Sequence, residues 1–339
     1  MFEPRGVMAI YRHTTELPDE ALGAVVAIGN FDGVHRGHQA IIDKAGRLAR
    51  ACGASLGVLT FEPHPRRFFR PDSPPFQLTS FRLKLRLLEA LGVDNVFVLP
   101  FDRALSESSA EDFVRQILVE GLRPRHVLVG DNFFFGHKRG GDSNLLERLG
   151  RRDGFGVSIV RRIEGTTGEA YSSTGIRDYL TAGNPTRAAL LLGRYWEIEG
   201  RVQTGAKLGR KLGFPTANIA LGEVLKPAYG VYAVRAGIDR GEQTVWHPGV
   251  ANIGVRPMVE GDEPLLEVHL FDFDEDLYGQ HMRVALVDYL RPEMKFDDME
   301  ALRVQMVEDS RRARVILDWE DWDPAWPASP FMSATHDQE

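Results

Sequence analysis

Five short apolar runs alternate with helical patterns through the first half of this chain. The runs are AVVAIGN (24–30), LGVLTF (56–61), NVFVLPF (95–101), HVLVG (126–130) and GVSIVRRI (156–163). Between them stand HQAIIDKAGRLARA, FRLKLRLLEALG, SAEDFVRQILVEGL and SNLLERLGRR. Strand, helix, strand at this spacing reads as βαβ units, which require a parallel sheet buried on both faces. Right-handed crossovers wind such units into a Rossmann-like layer, and its ligands sit at the carboxyl ends of the strands.

The period changes near residue 185. AGNP reads as a helix stop and restart, and TRAALLLG as a short helix. From Tyr195 the strand pattern is YWEIEGRVQ, GVYAVRAGI, TVWHPGVANIG, LLEVHLFDF and MRVALVDYL, with Gly, Pro and acidic turns between. That series predicts an antiparallel barrel or sandwich. An amphipathic helix, DMEALRVQMVEDSRRARVIL, closes it. The expected division is therefore 1–185, 186–318 and an acidic, Pro-containing tail, 319–339. No internal repeat or low-complexity tract interrupts it.

The length of 339 residues suits two domains, and 43% hydrophobic residues supply two cores. The single cysteine, Cys52, excludes an internal disulfide framework and fits a reducing compartment. No signal-peptide pattern opens the chain, and no apolar run approaches a membrane span. The expectation is a cytoplasmic protein without a membrane or nucleic-acid partner, a monomer or weak homo-oligomer. Residues 1–185 carry 24 Lys+Arg against 22 Asp+Glu, whereas the remainder carries 17 against 26. Neither half is the basic surface that long nucleic acid needs, although a local basic pocket for a small anion remains open.

GNFDGVHRGH (29–38) follows the first apolar run and opens a helix at His38. Glycines there let backbone N–H groups approach phosphate oxygens, and the helix N-terminus adds partial positive charge. His35 and His38, three apart, share a face on a helical turn and can donate to charge developing on a phosphoryl group. The plainer alternatives are a turn with two surface histidines, or a metal pair. No further His/Cys cluster lies nearby to complete a metal site. Neither dinucleotide nor Walker spacing is present.

The pattern G-x-F-D-x-x-H-x-G-H resembles the signature of the HIGH-type nucleotidyltransferases. TFEPHPRRFF (60–69) and VGDNFFFGHKRGGD (129–142) follow strands and are similar to the flavin adenylyltransferase branch. YSSTGIRDYL (171–180) is similar to its second nucleotide signature. There Ser172, Ser173 and Thr174 can cap a helix while holding phosphate, with Arg177 a permanent cation. In the second half, GRKLGFPTAN, GVANIGVRP, LEVHLFDF and YLRPEMKF resemble the riboflavin kinase module. Thr216 and Asn218, two apart, suit Mg²⁺ on an extended segment, the alternative being a loop with an Asx-type turn; Glu267 on an alternating strand either faces solvent or, pointing inward, suits a proton acceptor for an attacking alcohol.

From about residue 20 to 315 the chain therefore resembles the bacterial bifunctional riboflavin kinases/FAD synthetases. The resemblance implies an α/β plus β architecture: a Rossmann-like HIGH-type domain, then an antiparallel Greek-key β-barrel with a trailing helix. It implies phosphorylation of riboflavin to FMN by Mg²⁺-ATP in the second module. It also implies adenylylation of FMN to FAD and pyrophosphate in the first. Matched to ATP are Gly29, Phe31, Asp32, Gly37, Ser173 and Thr174 in the first module, and Gly205, Arg210, Thr216 and Asn218 in the second. His35, His38, Arg177 and Glu267 match the catalytic positions. Asn132, Arg291 and Phe296 match the flavin side, and Thr216 with Asn218 the Mg²⁺ side. Phe134, Gly175 and Met258 depart from the usual pattern and bear on substrate affinity.

Overall fold

The computed structural model describes residues 7–165, 168–204, 213–240, 243–255 and 264–318. The chain forms two compact units, Met1–Ser73 with Phe81–Tyr171, and Pro74–Ser80 with Ser172–Glu339.

In the first unit six strands run parallel: β1 (Ala9–Tyr11), β2 (Val25–Ile28), β3 (Leu56–Glu62), β4 (Asn95–Pro100), β5 (His126–Gly130) and β6 (Gly156–Val160). Their order is β1-β4-β3-β2-β5-β6. Along β2, Val25 and Ala27 pack into one core, with Ile42 and Ala45 of α1 (Arg36–Cys52). Val26 and Ile28 pack into the other, with Leu146 and Leu149 of α3 (Ser143–Asp153). This two-sided burial is what a continuous apolar run provides. Helix α2 (Phe81–Ala90) lies between β3 and β4 in sequence. The strand order reverses direction at β2, which has β3 on one side and β5 on the other. A crevice opens at the carboxyl end of a strand so placed. GNFDGVHRGH begins there.

In the second unit, α4 (Ser173–Thr181) and α5 (Pro185–Leu192) precede an antiparallel sheet. Its strands are β7 (Trp196–Arg201), β8 (Ala217–Ala220), β9 (Gly230–Arg240), β10 (Gln243–Val255), β11 (Pro264–Leu270) and β12 (His281–Arg291). Their order is β8-β11-β10-β9-β12-β7. The first of the four strands β8 to β11 lies beside the last, the Greek-key arrangement. Gln203, just past β7, bridges Asn218 of β8, so the two sheet edges meet as in a barrel. Helix α6 (Met299–Leu317) lays Ala313 and Leu317 on Val231, Ala233, Ala285 and Val287. Arg235 donates to the Leu317 carbonyl at 2.7 Å, capping that helix end.

Four features differ from the sequence expectation. Three-residue β1 adds an edge strand from a segment whose pattern was too short to signal one. Of the PTAN segment only Ala217 and Asn218 lie in strand β8, with Pro215 and Thr216 just ahead of it. SAEDFVRQILVEGL starts as helix Ala110–Phe113 and widens to a π-helix over Val114–Leu122. The compact second unit begins at Ser172, upstream of the expected 185/186 division. AGNP does end α4 and start α5, with Asn184 Oδ1 accepting from the Arg187 N–H at 3.1 Å. That signal marks a helix–helix turn inside the unit. The unit also takes Pro74–Ser80: the Trp196 indole donates to Leu78 O at 2.6 Å, Leu225 N to Gln77 O at 2.8 Å, and Ser80 Oγ to Glu199.

Candidate functional site

In the first unit the loop after β2 turns through three left-handed residues, Phe31 (φ 48°), Gly33 (φ 84°) and Val34 (φ 42°). Two of these carry side chains, a strained conformation of the kind that gathers at functional sites. Phe31 and Val34 are buried and hold the loop down. Helix α1 begins at Arg36, two residues before the expected start, so His35 is its cap and not a helical residue. His35 Nδ1 accepts from the His38 N–H at 3.4 Å. The rings stack with centroids 3.6 Å apart and an interplanar angle of 19°. His38 also meets Phe31 edge-on at 5.2 Å. A Cβ on Gly37 would stand 3.1 Å from the His35 ring and 3.3 Å from Tyr171 O, so only glycine leaves the stack undisturbed. Among the described residues no group of three or more His, Cys, Asp or Glu is placed to hold a metal ion.

Asp32 is buried, and its neighbourhood contains Lys84 of α2 and Glu62 of β3. Burial pushes the Lys84 ammonium below its usual range against the pull of both carboxylates. Burial raises Glu62 against the opposing fields of Lys84 and Arg12. Asn132 is exposed just after β5. Phe135 is core, while Phe134 is exposed beneath Arg139, 4.4 Å from guanidinium to ring centroid. Sequence reasoning missed an aromatic edge. Phe68, Phe69 and Phe101 meet one another at 5.2–5.6 Å, and Phe69 is 63% exposed. The signal was the Phe pair closing TFEPHPRRFF.

Ser173, Thr174 and Arg177 belong to the second unit, on α4. Ser172 is the actual cap, its Oγ accepting from Gly175 N at 3.1 Å. Arg177 Nε donates to Phe76 O at 2.8 Å, and its guanidinium lies 5.5 Å from the Phe76 ring centroid.

Within the barrel, Asn218 of β8, Glu267 of β11 and Asn252 of β10 lie in register across three adjacent strands. Directly opposed residues share a sheet face, so one amide, a carboxylate and a second amide form a row. Asn252 was not singled out by its sequence. Along β11 the buried and half-buried residues alternate, and Leu265, Glu267 and His269 occupy the half-buried face. That face lines a cavity of about 370 Å³, together with Thr216, Phe296 and Met306. A second cavity of about 250 Å³, lined by Val202, Pro215, Phe273 and Tyr278, shares Thr216 with the first. Glu267 is thus half-buried and lines the larger cavity. Gly205, Arg210 and Met258 lie outside the described residues.

Arg291, expected on the flavin side, lines the large cavity, but its nitrogens are turned to the protein. Nε contacts both oxygens of Asp309 at 3.0 Å, Nη2 donates to Oδ2 at 2.7 Å, and Nη1 to Pro292 O at 2.9 Å. Gln305 supports Asp309 Oδ1 at 2.9 Å. The guanidinium stands 5.8 Å from the Phe296 ring centroid. Arg291 therefore anchors the cavity wall to α6.

Two family models match the chain: FAD synthetase over residues 17–175 and riboflavin kinase over residues 192–317. A bifunctional riboflavin kinase/FMN adenylyltransferase of Escherichia coli K12 is 42% identical, covering 88% of this chain and 94% of the relative. One from Pseudomonas fluorescens is 44% identical, covering 91% and 98%. A solved structure titled as a macrolide-efflux protein from Streptococcus pneumoniae has a TM-score of 0.80 at 28% identity, covering 92% of this chain and 99% of that one. No helix among the described residues is long and apolar enough to cross a membrane.

Proposed function

Because the chain belongs to the bifunctional riboflavin kinase/FMN adenylyltransferase family, with an N-terminal FAD synthetase and a C-terminal flavokinase domain, we propose which of its residues perform each step. Phosphoryl transfer to riboflavin takes place in the barrel. The observation that carries this is Thr216, the wall between the two cavities, with Glu267 lining the larger one. Riboflavin lies in the larger cavity, whose Phe214, Phe296, Leu302 and Met306 suit a flat apolar ring system. ATP lies in the smaller cavity and presents its γ-phosphate past Thr216. Glu267 takes the proton of the attacking alcohol.

Thr216 and Asn218 offer neutral oxygens, too few for a protein cage but suited to Mg²⁺, which keeps waters and shares phosphate oxygens. Bound there, the ion would neutralise charge on the transferring group. Gly205 and Arg210 are assigned to the same nucleotide.

Adenylyl transfer takes place at the carboxyl end of β2. The attacking FMN phosphate is already an anion, so the site needs cations and donors and no strong base. His35 and His38, stacked at the amino end of α1, serve as donors to the departing pyrophosphate. Gly29, Phe31, Asp32 and Gly37 shape that loop. Ser173, Thr174 and Arg177 are assigned to the nucleotide by their sequence pattern alone, and Asn132 with the Phe69 edge receives the flavin. The chain acts in the cytoplasm on these small molecules, as a monomer or weak homo-oligomer.

The test separates the sites. Glu267→Gln should lower FMN formation from riboflavin and ATP by ~10²–10⁴-fold while FAD formation from added FMN persists. His38→Ala should reverse the pattern, with a loss of about 10²-fold in FAD formation. Product chromatography reads both, and a parallel loss of both activities in either variant refutes the assignment.

A further inference from the structure

His269 is two residues along β11 from Glu267 and lines the same cavity. Its Nδ1 lies 2.9 Å from the carbonyl oxygen of Pro215, the residue before Thr216. A carbonyl only accepts, so Nδ1 carries the hydrogen and donates. The imidazole meets the Phe214 ring edge-on, with centroids 5.1 Å apart, and Phe271, just past β11, at 6.0 Å. Phe214 and Pro215 are thus held at two points, a ring face and a carbonyl, by one side chain of the neighbouring strand. The β8–β11 ladder begins at Ala217, paired with Val268, so Thr216 lies just before regular pairing. The contacts from His269 hold the residues on its amino-terminal side, where no ladder does.

We propose that His269 is a positioning residue of the kinase site: it fixes the Phe214–Pro215 turn so that the Thr216 hydroxyl is presented at the junction of the two cavities. The proposal rests on the assignment of Thr216 to the Mg²⁺-ATP contacts made above. His269 acts on ATP use through Thr216. Its loss should therefore fall on ATP use and on the rate more than on riboflavin binding, which feels it only through the cavity wall at Phe214. An off-place hydroxyl costs rate because phosphoryl transfer depends on positioning.

Three variants of the full chain test it: His269→Leu, His269→Asn and Thr216→Ala, with the double variant Thr216→Ala/His269→Leu. Asparagine keeps a donor near the Nδ1 position, whereas leucine keeps only bulk. His269→Leu should raise KM for ATP and lower kcat for FMN formation by about tenfold or more, a larger change than in KM for riboflavin. His269→Asn should recover most of that loss. The double variant should be no worse than Thr216→Ala alone, because both changes remove one function. FAD formation from added FMN should stay at the wild-type rate, showing that the molecule is folded.

The inference is overturned if His269→Leu retains wild-type ATP kinetics, if asparagine performs no better than leucine, or if the losses multiply in the double variant. If Thr216→Ala itself leaves FMN formation unchanged, the assignment of Thr216 fails first, and this inference fails with it.

Discussion

At the residue scale, burial sets the charge state of several side chains. His126 of β5 contacts Ser158 Oγ at 2.9 Å, and burial, followed by the field of Lys44, lowers its pKa below 6.5. The unfolded chain binds this proton near pH 6.5, whereas the folded chain refuses it until a lower pH. Stability from this group is therefore present above that window and is lost as pH falls through it. His126→Gln keeps a polar reach to Ser158 and does not titrate. Its Tm relative to wild type should rise as pH is lowered from 8 to 5.5. Thermal denaturation in that series would contradict this if the difference stayed constant or fell. The loop histidines show what sequence could reveal at this scale. Their spacing announced a shared face, but not that His35 would cap the helix and stack on His38, because a cap is set by backbone angles that a helical period does not encode.

At the element scale, the Arg291–Asp309 pair ties the end of β12 to α6, with Asp309 about 2% exposed. Removing the cation alone leaves a buried carboxylate uncompensated, which costs about 3–5 kcal/mol. Replacing both partners by apolar groups of similar size is near neutral. Arg291→Met should therefore unfold at a much lower temperature, while Arg291→Met/Asp309→Leu should regain most of the loss. Both should raise KM for riboflavin, by about tenfold if the wall bearing Phe296 is the flavin side. A double variant as unstable as the single one would show that the pair does not act as a unit. The strands themselves were legible because each carried an apolar run or a clean alternation. Strand β8 was not, since Ala217–Ala220 is four residues long and borrows its regularity from β11. Asn252 was hidden similarly: it reaches the site through register with Glu267, a pairing between distant segments that no local pattern displays.

At the scale of the whole molecule, two motif sets in series announced two active sites, and the period change announced two folds. The path of the chain between the folds was less legible. PPFQLTS carries none of the strand or helix patterns recognised in the sequence, yet Phe76 and Leu78 are buried and the segment belongs to the barrel-bearing unit. Their alternation, with Gln77 bridging Val224, shows why: they behave as a strand whose partner lies about 150 residues away in sequence.

That stray segment makes the chain interlaced and not two beads on a string. A single scission between the modules, wherever it falls, leaves Phe76 and Leu78 on the wrong fragment. The fragment 172–318 alone should lose the burial of two side chains worth about 1.5–3 kcal/mol each, besides the Trp196 and Leu225 hydrogen bonds. Its Tm should fall by roughly 10 °C or more relative to the same fragment supplied with a tethered 74–80 peptide. Equal melting of the two fragments would refute the interlacing. If it holds, the two activities are separable by substitution but not by one cut, and any gene fission of this chain would need a graft as well as a break.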